Sequence, residues 1–143
     1  MALTWHTDSD AAPEDFAVVS TGVLTHGRRQ AHDGDARPIN CLVRDGGLVV
    51  AGGLGRTEYL RLFVLHLWVA DHLRKQGIGS RILRELEAEA ARRGCRDALI
   101  ETMDDGVAAL YLRLGYKPLA HISNYVGRFN RHIMLKPALA PPP

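Results

Sequence analysis

The 143 residues are enough for one domain with its own core and leave little room for a second. Hydrophobic residues at 46% and charged residues at 24% are ordinary for a soluble globular chain. A net charge of +2 with a pI near 8.7 is too modest for an obligate nucleic-acid binder. The two cysteines, Cys41 and Cys95, lie far apart without a CxxC, so nothing supports a zinc ribbon or redox motif and two reduced thiols are expected. The first residues carry no basic stretch followed by an apolar one, and the apolar run Leu62 to Ala70 is too short to span a bilayer and is interrupted by His66. A cytoplasmic protein is expected.

In chain order, residues 2–7 read as a short opening strand. A helix follows from Pro13, with Glu14 and Asp15 in its first turn and Phe16, Val19, Val23 and Leu24 on one face. Gly27 to Pro38 reads as polar loop. Ile39–Arg44 and Leu48–Leu54 read as strands joined by a turn at Asp45-Gly46-Gly47, whose glycines accept positive φ. The near-continuous apolar run from Tyr59 to Val69 reads as a strand covered on both faces.

After a break at 70–77, Ile78 to Arg93 carries a helical stripe of Ile78, Ile82, Leu83, Leu86 and Ala90, stopped by Gly94. Ala98–Thr102 reads as a strand and Val107–Leu114 as a short helix ended by Gly115. Tyr116–Ile122 and Arg131–Lys136 read as closing strands, and the Pro-rich tail 138–143 as disordered. This order predicts an α/β domain over residues 1–137, a mixed sheet of six to seven strands with helices on both faces.

The segment carrying chemistry is Leu67-Trp68-Val69 followed by Arg74-Lys75-Gln76-Gly77-Ile78-Gly79-Ser80. A buried strand, a short loop and a glycine-rich helix start stand in series. The first turn of a helix offers unpaired N–H groups and the positive end of the helix dipole, a seat suited to a pyrophosphate. Gly77 and Gly79 let phosphate oxygens reach the backbone, and Arg74 and Lys75 add positive charge. The stretch lacks the Gly-Lys-Ser/Thr of a Walker A loop, and Ile82 stands where GxGxxG needs its third glycine. Spacing alone leaves two readings, an anion seat or a plain strand-to-helix connection.

Arg74-Lys75-Gln76-Gly77-Ile78-Gly79 resembles the Arg/Gln-x-x-Gly-x-Gly/Ala signature of the GNAT acetyltransferases. Ala109-Leu110-Tyr111-Leu112-Arg113-Leu114-Gly115-Tyr116 resembles that family's LYxxxGF segment, with Tyr116 in place of the final Phe. The resemblance covers roughly residues 3–137. It implies the GNAT fold, mostly antiparallel, with a central parallel pair, the strand ending at Val69 and the strand 98–102, splayed apart. It further implies acetyl-CoA as acyl donor: pantetheine along Leu67, Trp68 and Val69, diphosphate on the amides of 76–80, and an N–H near Val69 polarising the thioester carbonyl. By the same resemblance Tyr111 is the residue that gives a proton or hydrogen bond to the leaving thiolate, in a direct transfer to a neutral amine within a ternary complex.

The family has no fixed general base; His66, which interrupts an apolar run, and Glu101 near a strand end are the candidates for taking the amine's proton. Asp104-Asp105-Gly106 stands where the family often has asparagine and reads as a solvated loop or a pantetheine contact. Gly52-Gly53-Leu54-Gly55 precedes no helix, so a bulge or close backbone approach is expected rather than a phosphate loop. Arg81, Arg84, Arg92, Arg93 and Arg96 read as a solvated face paired with Glu85, Glu87 and Glu89. Arg113 is a candidate for the adenosine 3′-phosphate. His121 and His132 are expected to face each other across the last two strands, with no metal site.

The acceptor is expected to be a small-molecule or peptide amine. Glu14, Asp15, Asp33 and Asp35 are possible partners for a cationic amine, and Asn124–Asn130 lines the acceptor cleft or serves a homodimer contact. The reading from another class is an acyl-CoA-binding sensor of the same fold that performs no transfer.

Overall fold

The structure, a computed structural model, describes residues 1–30 and 36–139. The chain forms two compact units, Met1–Gly34 and Asp35–Pro143. In the first, α1 spans Pro13–Gln30, with Glu14 and Asp15 in its first turn and Arg28 and Arg29 in its last. Acids at the positive end and bases at the negative end both favour the helix dipole. The helix runs on past Gly27, into residues read as loop, because those basic residues suit a helix C-terminus and no Pro intervenes. Residues 2–7 form no strand. Asp33, Asp35 and the tail from residue 140 lie outside the described residues.

The second unit is a six-stranded sheet built from β1 (Arg37–Asp45), β2 (Leu48–Glu58), β3 (Arg61–Val69), β4 (Asp97–Thr102), β5 (Lys117–Val126) and β6 (Phe129–Lys136). Two helices pack on it, α2 (Ile78–Arg92) against β1 to β3 and α3 (Asp105–Arg113) against β4 to β6. The strand order is β1-β2-β3-β4-β6-β5, and the parallel pair is the central β3–β4. It is joined through α2, as a parallel crossover requires. Gly46 and Gly47, both at positive φ, make the β1–β2 turn. Tyr59 and Leu60, also at positive φ, form the β2–β3 turn and so lie outside the strand that was expected to include them.

The core contains Leu62 and Val64 of β3, Ala98 and Ile100 of β4, Met134 of β6, and Ile82, Leu83, Leu86 and Ala90 of α2. Four of the five residues of the expected stripe of α2 are therefore buried as its period dictates, and Ile78 is partly buried against them. Glu87 departs from the expected solvated face. It is buried, and its carboxylate receives Lys136 Nζ at 2.7 Å. Arg92 stays outside and pairs along the helix with Glu89 at 2.9 Å, whereas Arg93 departs from the expected solvated face and is half-buried. Arg93 also reaches Glu89, and bonds Pro38 O and Thr57 Oγ1 on neighbouring strands.

Two glycines in β2 set how the sheet meets its neighbours. A Cβ on Gly53 would stand 2.7 Å from Leu86 Cδ1 and 2.8 Å from Ile82 Cγ2, so only glycine lets α2 lie this close. A Cβ on Gly55 would stand 2.2 Å from Phe63 O. Here the register shifts: Leu54 pairs with His66 and Gly55 with Val64, leaving Leu65 as the extra residue of a bulge in β3. The glycine run is thus the bulge and close approach its sequence suggested.

Candidate active site

The bulge falls where β3 and β4 part. Their pairing comprises Arg61↔Asp97, Leu62↔Ala98 and Phe63↔Leu99, then stops, although β3 continues to Val69 and β4 to Thr102. Neither strand frays: β3 stays paired with β2 up to Val69↔Ala51, and β4 with β6 up to Thr102↔His132. A bulge strengthens local twist and bends its strand, so β3 turns away from β4 just past its last partner. The result is a gap between two intact strands.

The backbone facing that gap follows from alternation. Ala70 N–H bonds Val50 O of β2 at 3.0 Å, so the N–H and C=O groups of Val69 and Leu67 point the other way, into the gap. Arg74 Nε donates to Val69 O at 3.1 Å, and Arg74 Nη2 pairs with Asp71 at 3.0 Å. Part of the Arg74 charge thus holds the loop, which includes a short 3-10 turn at Asp71–Leu73.

At the head of the gap stands the start of α2. Its N-cap is Gly77, with φ of 78°, and no side chain among the described residues caps the helix. Arg81 N–H, bonded to Gly77 O at 3.0 Å, is the first amide of the helix to find a helical carbonyl. The amides of Ile78, Gly79 and Ser80 precede it and point outward. No acid lies in the first turn. Gly79 packs toward Val69, with a built Cβ 3.7 Å from Val69 Cγ2, so helix start and strand end are held side by side.

Helix α3 forms the opposite wall. Asp104 caps it, its carboxylate accepting Val107 N–H at 2.9 Å, so Asp104-Asp105-Gly106 is a helix start rather than a loop. Val107, Leu110, Tyr111 and Leu114 share one face at helical spacing and line, with Leu67–Val69, Leu73 and the start of α2, a groove of about 810 Å³. Every expected donor-site residue borders this groove except Gln76, whose side chain turns back to His72 O. Arg113 borders it as well. Leu73, Val107, Leu110 and Leu114 were not singled out from the sequence, though the 107, 110, 111, 114 spacing marks them as one helix face.

Tyr111 is buried, and burial, aided by the Asp104 carboxylate, pushes its phenol up to about 12. Its ring packs against Tyr116 with centroids 5.8 Å apart. The Tyr116 hydroxyl is buried and has no hydrogen-bond partner among the described residues. His66 and Glu101 stand apart from the groove lining. Leu67 and Val69 face α2, so alternation turns His66 to the other face of β3. On β4, Ile100 faces the core and Glu101 faces away, where Arg131 Nη2 bonds its carboxylate and lies over the Tyr125 ring at 4.9 Å. The two expected proton acceptors therefore flank the same gap on the face away from α2. His121 and His132 do face each other across β5 and β6, with ring centroids 4.9 Å apart.

A splayed central parallel pair, a glycine-led helix start and a buried tyrosine thus meet at one groove. Residues 4–116 match the model of the Acetyltransferase (GNAT) family, and the chain belongs to that family. It is 36% identical over 107 residues to the blasticidin-S acetyltransferase of Streptomyces morookaense, covering 71% of this chain and 79% of that one. It is 35% identical over 91 residues to the acetyltransferase Atu2258 of Agrobacterium fabrum, a match spanning 63% of this chain and 66% of that protein, just under two thirds of its length. Among solved structures, one from Agrobacterium tumefaciens superposes with a TM-score of 0.88 at 24% identity, covering 94% of this chain and 98% of that one. An aminoglycoside 6′-N-acetyltransferase complexed with coenzyme A superposes with a TM-score of 0.62 at 21% identity, covering 74% and 75%. These likenesses show the fold. Among the described residues, no helix is long and apolar enough to cross a membrane.

Proposed function

We propose that this chain is an N-acetyltransferase that moves the acetyl group of acetyl-CoA to a primary amine by direct attack, with both substrates bound together. The supporting observation is convergence: the outward amides of α2, the unpaired edge of β3 and Tyr111 all border one groove. The diphosphate is assigned to the amides of residues 76–80, with Lys75 beside them, and the pantetheine arm to the Leu67 and Val69 backbone, as a partial extra strand. An N–H of that edge then meets the thioester carbonyl oxygen where negative charge develops.

The amine lone pair attacks the thioester carbon, the C–S bond breaks, and the Tyr111 O–H faces the departing sulfur. With its phenol at about 12, Tyr111 keeps its proton throughout the neutral range. A free thiol titrates near ~8.5, so the phenol is the weaker acid. Its part is a hydrogen bond to the developing thiolate, which solvent then protonates. Glu101 and His66, on the far side of the gap, are assigned to the incoming amine and its proton.

The acceptor is assigned to the class of small-molecule amines. The Streptomyces relative is named for blasticidin S, which makes that compound the first to try. The test is calorimetry with CoA, followed by thiol release from acetyl-CoA with blasticidin S, other small amines and peptide amines. Turnover with any of them supports the reading. CoA binding without turnover across the panel supports a sensor instead, and no CoA binding removes both.

A further inference from the structure

One polar cluster has no part in the mechanism above. Asp105, the first residue of α3, receives His132 Nε2 of β6 at 2.7 Å and Asn130 Nδ2 at 3.3 Å. Asn130 Oδ1 in turn accepts Asn124 N–H at 3.3 Å, at a residue held at positive φ in β5. The His132 ring packs on His121 of β5. The hydrogen bonds from His132 and Asn130 hold the Asp105 carboxyl below its usual range. Among the described residues no set of three His, Cys, Asp or Glu side chains is placed to hold a metal.

Its location gives it a task. Asp105 lies between Asp104 and Gly106, both of which border the groove, while His132 stands opposite Thr102 at the end of β4, three residues past the last residue of β4 that pairs with β3. The Thr102 hydroxyl also accepts Asp104 N–H at 3.1 Å. The edge hairpin β5–β6 is thus bonded to the first turn of the helix that carries Tyr111. Helix α3 has nine residues, too few to hold a direction by itself. Catalysis is sensitive to such placement, since a shift of about 1 Å can cost on the order of 100-fold in rate.

We propose that Asp105, His132 and Asn130 form a clamp that positions Tyr111 by pinning the start of α3 to the β5–β6 hairpin. Asp105 and His132 are positioning residues and touch neither substrate. The clamp's catalytic effect rests on the acetyl-transfer reading above; its mechanical part does not.

The experiment has two arms. In the first, His132→Ala and Asp105→Ala lower kcat about ten- to hundredfold, while CoA affinity stays within about twofold because the diphosphate seat lies on α2. His132→Gln restores most of the activity, since the glutamine amide places an N–H near the position of the imidazole Nε2. In a Tyr111→Phe background neither alanine substitution lowers kcat much further, because both act through the hydroxyl already removed. Fully additive losses overturn the proposal.

In the second arm, hydrogen exchange at the amides of residues 105–111 is compared in wild type and His132→Ala. Faster exchange confined to α3 supports the clamp, and unchanged exchange overturns it. Absence of acetyl transfer in the wild-type protein would sink the proposed function, and the exchange arm would still decide the clamp.

Discussion

A Cβ on Gly55 would stand 2.2 Å from the carbonyl oxygen of Phe63, the last residue of β3 that pairs with β4. The glycine and the opening of the sheet are therefore one feature. Gly55→Ala must push β3 away from β2 or straighten the bulge. Overpacking of this kind costs about 1–3 kcal/mol, and here the obstacle is backbone, which yields least. We expect a loss toward the upper end of that range in urea denaturation, and weaker CoA binding because the gap loses its shape. Unchanged stability would show that the bulge does not depend on this glycine.

Gly77 tests the amide seat. A Cβ there meets nothing within 4 Å, so the obstacle is only its φ of 78°, about 1–2 kcal/mol for a residue other than glycine. Gly77→Ala carries that strain without charge, and Gly77→Glu adds a carboxylate in front of the helix start. Calorimetry should show CoA binding weakened modestly in the first and abolished in the second, with the circular dichroism of both intact. Equal affinity in the two would remove the diphosphate from this turn.

Tyr111→Phe should lower turnover by at least about tenfold while leaving CoA affinity nearly unchanged. The folded-state phenol is raised to about 12 from an unfolded value near ~10. A raised acid of this kind favours the folded state below the unfolded value, and that contribution is lost as pH rises from about 10 through 12. Burial raises Tyr116 in the same direction. Stability should thus fall steeply above about pH 10, and Tyr111→Phe should flatten the fall. A variant with the wild-type alkaline profile would show that Tyr111 is not buried as described.

Glu87 and Lys136 form an ion pair under the Tyr116 ring, with Lys136 Nζ 5.8 Å from the ring centre. Burial raises the Glu87 carboxyl more than Lys136 lowers it. The charged form is therefore the costly one: the favourable contribution belongs to pH below the ordinary carboxylate value and is lost above it. Glu87→Ala, which strands the lysine, should cost about 3 kcal/mol at neutral pH, whereas Glu87→Met with Lys136→Met should be nearly neutral or stabilising. Thermal unfolding of the three proteins decides, and a double variant less stable than the single one would refute it.

Tyr116→Phe removes a buried hydroxyl that has no partner among the described residues. Relief of an unsatisfied polar group should raise stability by about 1 kcal/mol. A fall in melting temperature would mean that the hydroxyl has a partner in solution.

Much of the candidate groove was legible in the chain itself. The stripe of α2, the glycine-led turn at 74–80 and Tyr111 within 109–116 are local patterns, because helix faces and helix starts are set by neighbours a few residues away. The bulge was half visible: Gly52-Gly53-Leu54-Gly55 announced a close approach, but not that Phe63 was the partner. The β2–β3 turn was misread because Tyr59 and Leu60 take positive φ without being glycine, and the end of α1 because Gly27 lies inside the helix rather than past its end.

Other relationships only the tertiary structure decided. Glu87 reads as one more charge on a charged helix until Lys136, 49 residues away, arrives beside it. The clamp joins Asp105 to residues 25 and 27 positions further on, and Glu101 meets Arg131 across 30. Periodicity and turn chemistry act within one element, so they write themselves into adjacent residues. Pairings between elements depend on strand order and register, which emerge only when the hydrophobic faces are buried together.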